Sequence, residues 1–252
     1  MDDLKRYEEL VKTIEYHNDL YYNQDDPKIS DYEYDMMMKE LKKLEKDHPE
    51  YVTPSSPTQH VGGSAKREAG VLVRHRVPML SLQDVFSKEE VQDFVKSMQE
   101  TLVDPVFVVE YKIDGLSMAL RYENGLLTTA ITRGDGIIQG EDVTVNAKVI
   151  KDVKNKLKEP IEYLEVRGEV YMTNEAFDKV NEIQELNNKK TFANPRNCAA
   201  GTLRQLDSRI TKQRNLSMFI FNIQDIRGKE ITSHSQGYEY LKIQGMKVID
   251  NY

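Results

Sequence analysis

Apolar residues recur at intervals of three and four in the first fifty positions, which is the spacing of one face of a helix. In the first 20 residues they are Leu4, Tyr7, Val11, Ile14 and Leu20. Residues 30–33 read Ser-Asp-Tyr-Glu, a capping box that opens a second helix. The apolar face of that helix consists of Met37, Met38, Leu41 and Leu44. The sequence therefore predicts two N-terminal helices.

The second helix is predicted to end at His48, because a proline follows it. Residues 53–58 read Thr-Pro-Ser-Ser-Pro-Thr, a composition that favours an extended linker. A small helical domain over residues 1–68 and a larger domain over 69–252 are the predicted units.

Strand patterns dominate the larger unit, after a helix that Ser87 and Glu90 open as a capping box. Residues 106–112 form a β-rich run, and Asn124-Gly125 between apolar segments predicts a two-residue hairpin. Further strands are predicted at 126–132, 163–171 and 216–223, with a helix near 174–186. This mixture of hairpins and helices favours an α+β fold.

The composition of the chain is that of a globular protein. Of 252 residues, 39% are hydrophobic and 31% are charged, as in an ordinary globular protein. We expect a cytoplasmic protein with no membrane contact, because no apolar stretch is long enough for a bilayer and no signal peptide opens the chain. The single cysteine, Cys198, excludes a disulfide framework or a four-cysteine zinc site within this sequence. We expect it to be partly buried.

The formal charge of −7 argues against a strong nonspecific grip on DNA, which needs a surplus of basic residues on one face. Any contact with DNA must therefore be local.

Lys112 is the candidate nucleophile, in the run Lys112-Ile-Asp-Gly directly after the strand predicted at 106–112. A period of two places Glu110 on the same strand face as Lys112. A lysine attacks phosphorus only as a neutral amine, so its surroundings must favour the deprotonated form for part of the time. Taken alone, such a tetrapeptide is as often a charged turn.

Two further segments carry chemistry. Glu165, Arg167 and Glu169 share one face of a predicted strand, which suits ribose or metal contacts but is also typical of an exposed ion-paired strand. In residues 192–207, Arg196 and Arg204 lie eight positions apart, about two helical turns. Both can therefore project from one side towards phosphates, or form a basic helix face.

Together these motifs resemble the NAD+-dependent DNA ligases of the covalent nucleotidyltransferase superfamily, and the resemblance extends through essentially the whole chain. It implies a small helical domain that recognises nicotinamide mononucleotide (NMN), followed by a mixed, largely antiparallel nucleotidyltransferase domain (an ATP-grasp-like DNA ligase fold) that is incomplete at its C-terminus. It also implies a monomer.

The resemblance assigns residues to the two halves of NAD+. The residues implied for the NMN half are Tyr21, Tyr22, Asp31, Tyr34 and Asp35. At the position of Tyr22 the family often has histidine. The residues implied for the adenosine half are Ser81, Leu82, Glu110, Arg133, Glu169 and Phe221, where Phe221 stacks on adenine and Glu169 lies near the ribose or a metal ion.

The implied reaction has three steps: Lys112 takes AMP from NAD+ and releases NMN, AMP passes to a 5′-phosphate at a nick in duplex DNA, and the 3′-hydroxyl expels AMP. Arg196 and Arg204 would stabilise phosphate charge, Asp114 would orient the ribose or the lysine, and Mg2+ or Mn2+ would neutralise the phosphates.

Two later lysine motifs of the family, its oligonucleotide-binding, helix-hairpin-helix and BRCT domains and its zinc site do not occur before Tyr252. We therefore expect a fragment that binds NAD+ but is impaired in catalysis, with zinc only in the C-terminal region beyond it. The alternatives are an ATP-dependent nucleotidyltransferase, which needs no tyrosine-rich N-terminal domain, and a noncatalytic nucleotide-binding module.

Overall fold

The computed structural model describes residues 3–24, 26–53, 55–59 and 70–249. The helices are α1 (Asp3–Asn18), α2 (Asp31–Asp47), α3 (Lys88–Thr101), α4 (Thr144–Ala147), α5 (Asn174–Leu186), α6 (Pro195–Leu203), α7 (Ser208–Gln213) and α8 (His234–Ile243). The strands are β1 (Leu72–Arg74), β2 (Leu116–Glu123), β3 (Leu126–Thr132), β4 (Gln139–Glu141), β5 (Tyr163–Tyr171) and β6 (Ser217–Arg227). Within these ranges no helix is both long and apolar enough to cross a membrane.

The first two helices pack on one another, as predicted. Their shared core consists of the buried residues Tyr7, Leu10, Ile14 and Leu41. The capping box is confirmed, because the Ser30 hydroxyl accepts from the Glu33 amide while the Glu33 carboxylate accepts from the Ser30 amide. A π-helical turn, Asp19–Asn23, continues α1 towards the larger unit. Such wide turns often occur at functional sites.

The extended linker predicted at 53–58 is wrong. Residues 55–59 form turns against α2, where the hydroxyls of Ser56 and Thr58 both donate to the carboxylate of Glu45. Glu45 is buried, and a buried carboxylate requires hydrogen-bond donors, so these hydroxyls fold the segment back. The predicted boundary at residue 68 lies outside the described residues.

A four-stranded antiparallel sheet in the order β3-β2-β5-β6 forms the centre of the larger unit, and β1 pairs with β4 in a second small sheet. The hairpin at Asn124-Gly125 is confirmed: both residues have positive φ, 50° and 77°, as the tight turn between β2 and β3 requires. The predictions for β3, β5 and α5 are confirmed, and β6 extends four residues further than expected. The α+β prediction is confirmed.

The face of the sheet towards α4, α5, α6 and α8 forms the main core. Along β5, the buried side chains of Leu164, Val166 and Val170 belong to this core, while the residues between them face the other way. Cys198 of α6 is fully buried in the same cluster, more deeply than expected. The opposite face of the sheet therefore carries the polar residues from which a site can be built.

The strand predicted at residues 106–112 is wrong. Residues 105–114 form no ladder with any described strand, and Val106 and Val109 are 92% and 83% exposed. A β-rich run becomes a strand only when a neighbouring strand supplies hydrogen bonds. The prediction that Glu110 and Lys112 share one face of a strand is therefore also wrong.

Ser87 caps helix α3 as predicted, but the capping box is only half formed. Ser87 accepts from the amide of Glu90, whereas the Glu90 carboxylate accepts from the Phe86 amide (2.6 Å) and the Lys39 ammonium (2.7 Å). Lys39 lies on α2, so this ion pair links α2 with the start of α3.

Arg121 and Glu165 form a buried ion pair across β2 and β5. Arg121 Nε lies 2.8 Å from Glu165 Oε2, and their side chains are only 7% and 1% exposed. The Tyr163 hydroxyl donates to the same carboxylate. This pairing removes Glu165 from the set of candidate ribose or metal ligands.

We predict that Glu165→Ala lowers the free energy of unfolding by about 3–5 kcal/mol, because it leaves the Arg121 guanidinium buried without its anionic partner. Urea denaturation followed by circular dichroism measures the change. Glu100→Ala, which removes one partner of an exposed pair on α3, should cost less than about 1 kcal/mol. Equal losses in the two variants would contradict the role given to burial.

Candidate functional site

A cavity of about 280 Å³ lies between the N-terminal helices and the polar face of the sheet. One wall comes from the end of α1, the π-helical turn and the start of α2. The other wall comes from residues 112–115, β5 and the first turn of α6. The predicted site residues that line it are Tyr21, Asp31, Tyr34, Asp35, Lys112, Asp114, Glu169 and Arg196.

The segment that carries Lys112 enters the sheet through Gly115. A Cβ atom on Gly115 would lie 2.2 Å from the carbonyl oxygen of Val170, so only glycine allows this approach of β2 to β5. The close approach places Lys112, an exposed side chain, at the cavity four residues before the start of β2. The glycine of the motif is therefore a packing requirement.

Arg196 connects the two walls. Its Nε donates to the carbonyl oxygen of Gly115 at 3.0 Å and lies 3.7 Å from a carboxylate oxygen of Asp114. Its Nη1 donates to the hydroxyl of Tyr21 at 2.8 Å. Helix α6 begins one residue earlier, after Asn194 caps it, so local helix chemistry fixes the base of this arginine. A guanidinium so placed can neutralise a phosphate between the walls.

Glu169 is the half-buried carboxylate of the cavity. Burial raises its pKa above the ordinary range, while a 2.8 Å hydrogen bond from the Ser117 hydroxyl and the charges of Lys112, Arg196 and Arg167 act in the opposite direction. Such a carboxylate is stabilised by a hydroxyl donor or a cation. Glu169 is thus suited to accept from a ribose hydroxyl or to bind a metal ion.

Residues of α2 supply the acidic side of the cavity. The pKa of Asp35 is raised mainly by burial and further by the nearby carboxylates of Asp84 and Asp31, while Lys112 lowers it. The hydroxyl of Tyr34 donates to Asn18 at 2.8 Å, which fixes the plane of the ring. The side chain of Tyr22 lies outside the described residues.

Four of the residues predicted for the adenosine half form a second group beside the cavity, namely Ser81, Leu82, Arg133 and Phe221. Arg133 donates to the Ser81 hydroxyl at 2.7 Å, and Leu82 is 73% exposed. The Arg167 guanidinium lies 5.5 Å from the ring centre of Phe221.

Arg167 also joins this group to the cavity. It donates to the carbonyl oxygen of Leu80 at 3.0 Å and to the Ser117 hydroxyl at 3.4 Å, and Ser117 in turn donates to Glu169. Burial lowers the pKa of Arg167. A continuous polar surface therefore runs from the cavity towards Phe221.

Two further predicted residues lie apart both from the cavity lining and from this second group. Glu110 faces His234 of α8, with 3.1 Å between its carboxylate and Nε2. Arg204 pairs with Glu141 of β4 at 2.9 Å. The two arginines predicted to act together thus have different partners, because α6 carries Arg196 in its first turn and ends before Arg204.

Sequence reasoning missed Ser117 and Asp84 as members of the site. Alternation along β5 had placed Arg167 on the same face as Glu169, but no individual role was assigned to it. Ser117 faces Glu169 only through the register of β2 with β5. Asp84 enters from a loop, for which periodicity gives no signal.

We predict that Asp84→Asn lowers the pKa of Asp35, because it removes a neighbouring negative charge while burial and Asp31 still raise that pKa. An NMR titration of the Asp35 carboxyl carbon measures the change. Asp93→Asn removes the same charge from an exposed position of α3 and should leave the Asp35 pKa unchanged. The same Asp35 pKa before and after Asp84→Asn would contradict their proximity.

Comparison with known proteins identifies the family. Residues 70–252 match the family described as NAD-dependent DNA ligase adenylation domain. Residues 1–62 match the DNA ligase-like, N-terminal NAD+-binding domain.

Curated relatives agree with both matches. The chain is 56% identical over 252 residues to a DNA ligase of Clostridium kluyveri and 48% identical over 244 residues to one of Clostridioides difficile, which covers 100% and 96% of the chain. The chain spans 38% and 36% of the length of these relatives. Since the adenylation-domain match alone covers more than half of its residues, the chain belongs to the NAD-dependent DNA ligase family.

Proposed function

We propose that the chain carries out the first step of NAD+-dependent DNA ligation, the transfer of AMP from NAD+ to Lys112. One observation carries this proposal: Lys112, Glu169 and Arg196 line the same cavity as Tyr21, Tyr34 and Asp35 of the N-terminal unit. A nucleophile and the residues implied for the leaving group therefore face one space.

In the proposed step the neutral amine of Lys112 forms a bond to the adenylyl phosphorus. The bond from phosphorus to the bridging oxygen breaks, its electron pair leaves on the phosphate of NMN, and the amine proton passes to solvent. Arg196 lies where it can offset the charge that develops on the phosphoryl oxygens. Asp114, beside the guanidinium, holds it towards the lysine segment.

The walls of the cavity fit the two ends of NMN. The pyridinium ring of NAD+ is cationic, and the carboxylates of Asp31, Asp35 and Asp84 line the cavity on that side. The rings of Tyr21 and Tyr34 can stack on the nicotinamide. We assign Tyr22 to the same half from the resemblance alone.

We assign adenosine to the surface between Ser81, Leu82, Arg133 and Phe221. The Arg167 guanidinium already lies over Phe221, so adenine must share the ring with it or stack on its other face. Glu110 can reach adenine only if its carboxylate leaves His234, and Arg204 can reach a phosphate only if Glu141 releases it.

Glu169 is the residue that we assign to a divalent cation or to the ribose. Residues 3–249, where the structure describes them, contain no cluster of three acidic, histidine or cysteine side chains that could hold a metal. Mg2+ commonly binds one or two carboxylates together with substrate phosphates, which one glutamate at a nucleotide site satisfies. A bound Mg2+ ion would neutralise phosphate charge there.

The remaining steps are proposals for the longer protein. AMP would pass from Lys112 to the 5′-phosphate of a nick in duplex DNA, and the 3′-hydroxyl would then expel it. With a net charge of −7, this chain supports only local contacts with DNA. We place the reaction in the cytoplasm, and we take the protein to be a monomer, as the resemblance implies.

We predict that incubation with NAD+ and Mg2+ slowly increases the intact mass of the chain by one AMP, as expected of a fragment impaired in catalysis. Lys112→Ala should abolish the increase because no amine remains to attack phosphorus. Intact mass spectrometry measures both. Lys96→Ala, which removes an exposed lysine of α3, should leave the attachment unchanged.

The same experiment separates the alternatives. Attachment from ATP in place of NAD+ would indicate an ATP-dependent nucleotidyltransferase, and binding of NAD+ without attachment would indicate a noncatalytic module. AMP on Lys112→Ala would overturn the assignment of the nucleophile.

We predict that Tyr34→Ala and Asp35→Ala each weaken NMN binding by about tenfold or more, the usual effect of losing a hydrogen bond to a charged group or an aromatic contact. Calorimetry with NMN measures the loss. Tyr32→Ala, at an exposed position of α2 outside the cavity lining, is the matched control. In the longer enzyme both variants should still seal a nick that already carries AMP, and equal loss in that assay would refute the assignment.

A further inference from the structure

Tyr21 and Arg196 contact each other through two different parts of the tyrosine. Arg196 Nη1 donates to the Tyr21 hydroxyl at 2.8 Å, and the guanidinium carbon lies 5.6 Å from the centre of the ring. The side-chain amide of Asn197 donates to the backbone carbonyl of Tyr21 at 2.9 Å. The π-helical turn of the N-terminal unit therefore binds the first turn of α6 by side chain and backbone.

The other edge of the guanidinium belongs to the nucleophile segment. Arg196 Nε donates to the carbonyl oxygen of Gly115, three residues after Lys112. Because the guanidinium is planar, a hydrogen bond at Nε and another at Nη1 together define both its position and its orientation. Each wall of the cavity supplies one of the two acceptors: the Tyr21 hydroxyl on the N-terminal side and the Gly115 carbonyl on the sheet side.

We infer that Tyr21 is a positioning residue for Arg196, and that its hydroxyl affects the rate of lysine adenylation through the guanidinium. The inference rests on the proposed function and adds to it a role for Tyr21 that is distinct from any contact with the nicotinamide ring. A charge that is already oriented needs no rearrangement when negative charge develops on the phosphoryl oxygens. Without the hydroxyl, the guanidinium keeps its contacts with Gly115 and Asp114 but can tilt away from the phosphate.

A positioning role and a binding role change different quantities. A tyrosine that only binds NAD+ sets the NAD+ concentration needed for half-maximal rate. A tyrosine that orients Arg196 sets the rate at saturating NAD+. The substitution Tyr21→Phe separates these roles, because it keeps the ring and the backbone carbonyl but removes the hydroxyl.

The test is the single-turnover rate of AMP attachment to Lys112, followed by intact mass over a series of NAD+ concentrations. We expect Tyr21→Phe to lower the saturating rate by about tenfold or more, as for loss of a hydrogen bond to a charged group. The half-saturating NAD+ concentration should change little. Tyr16→Phe, which alters an exposed tyrosine of α1 outside the cavity lining, should leave both quantities unchanged.

A double-mutant experiment tests whether the effect of Tyr21 depends on Arg196. In Arg196→Lys, whose ammonium cannot reproduce the planar contacts, Tyr21→Phe should cause little further loss, because coupled residues are not additive. Circular dichroism of each variant checks that the fold is retained.

Two results would overturn the inference: a raised half-saturating NAD+ concentration with an unchanged saturating rate, or an equal loss from Tyr21→Phe in the wild-type and Arg196→Lys backgrounds. Failure of the proposed function has a different signature, because the wild-type chain itself would then gain no AMP, or Lys112→Ala would still gain it.

Discussion

The antiparallel pairing of β2 with β5 is the constraint on which the rest of the site depends. It runs from Leu116 opposite Val170 to Glu123 opposite Tyr163, and it places Ser117 opposite Glu169. Gly115 permits the close approach at one end. A register slip of one residue would turn Glu169 towards the core and Val170 towards the cavity, so the site exists only in this register.

Charged side chains line both walls of the cavity. The N-terminal unit supplies Asp31 and Asp35, while the sheet unit supplies the cations Lys112 and Arg196 together with Asp114 and Glu169. Burial and the neighbouring carboxylates of Asp84 and Asp31 raise the pKa of Asp35, so a cationic group in the cavity would stabilise the charged form of this residue. A dinucleotide with a pyridinium ring at one end and phosphates in the middle has the complementary arrangement.

Local signals in the sequence predicted those parts of the fold whose partners lie nearby in the chain. The hairpin at Asn124-Gly125 and the cap at Ser30 each need only a few neighbouring residues. The alternation of apolar and polar residues along β5 also predicted which side chains face the core. Residues 106–112 have the composition of a strand whether or not another strand pairs with them. Composition alone could therefore not show that this segment forms no strand. The turns at 55–59 depend on Glu45, a partner 11 and 13 residues away from the two hydroxyls.

In the site, too, local signals and partners distant in the chain have to be distinguished. Resemblance and spacing selected Lys112, Glu169 and Arg196, which all line one cavity, and their roles stay predictions. Helical spacing could not indicate that Arg204 meets Glu141, because β4 lies more than sixty residues earlier in the chain. The partners of Glu110 and Arg204 depend on tertiary packing, which no local pattern encodes.

The exposed apolar side chains of residues 102–109 and of α3 affect how copies of this chain behave at high concentration. Val103, Val106 and Val109 are 95%, 92% and 83% exposed, and Phe94 of α3 is 50% exposed. Strand-prone segments without a partner tend to pair between molecules. The net charge of −7 opposes this through long-range repulsion. Salt shortens the range of that repulsion to about 8 Å at physiological ionic strength and leaves the apolar attraction in place. The colloidal stability of the chain is therefore greatest in dilute buffer and decreases as salt is added.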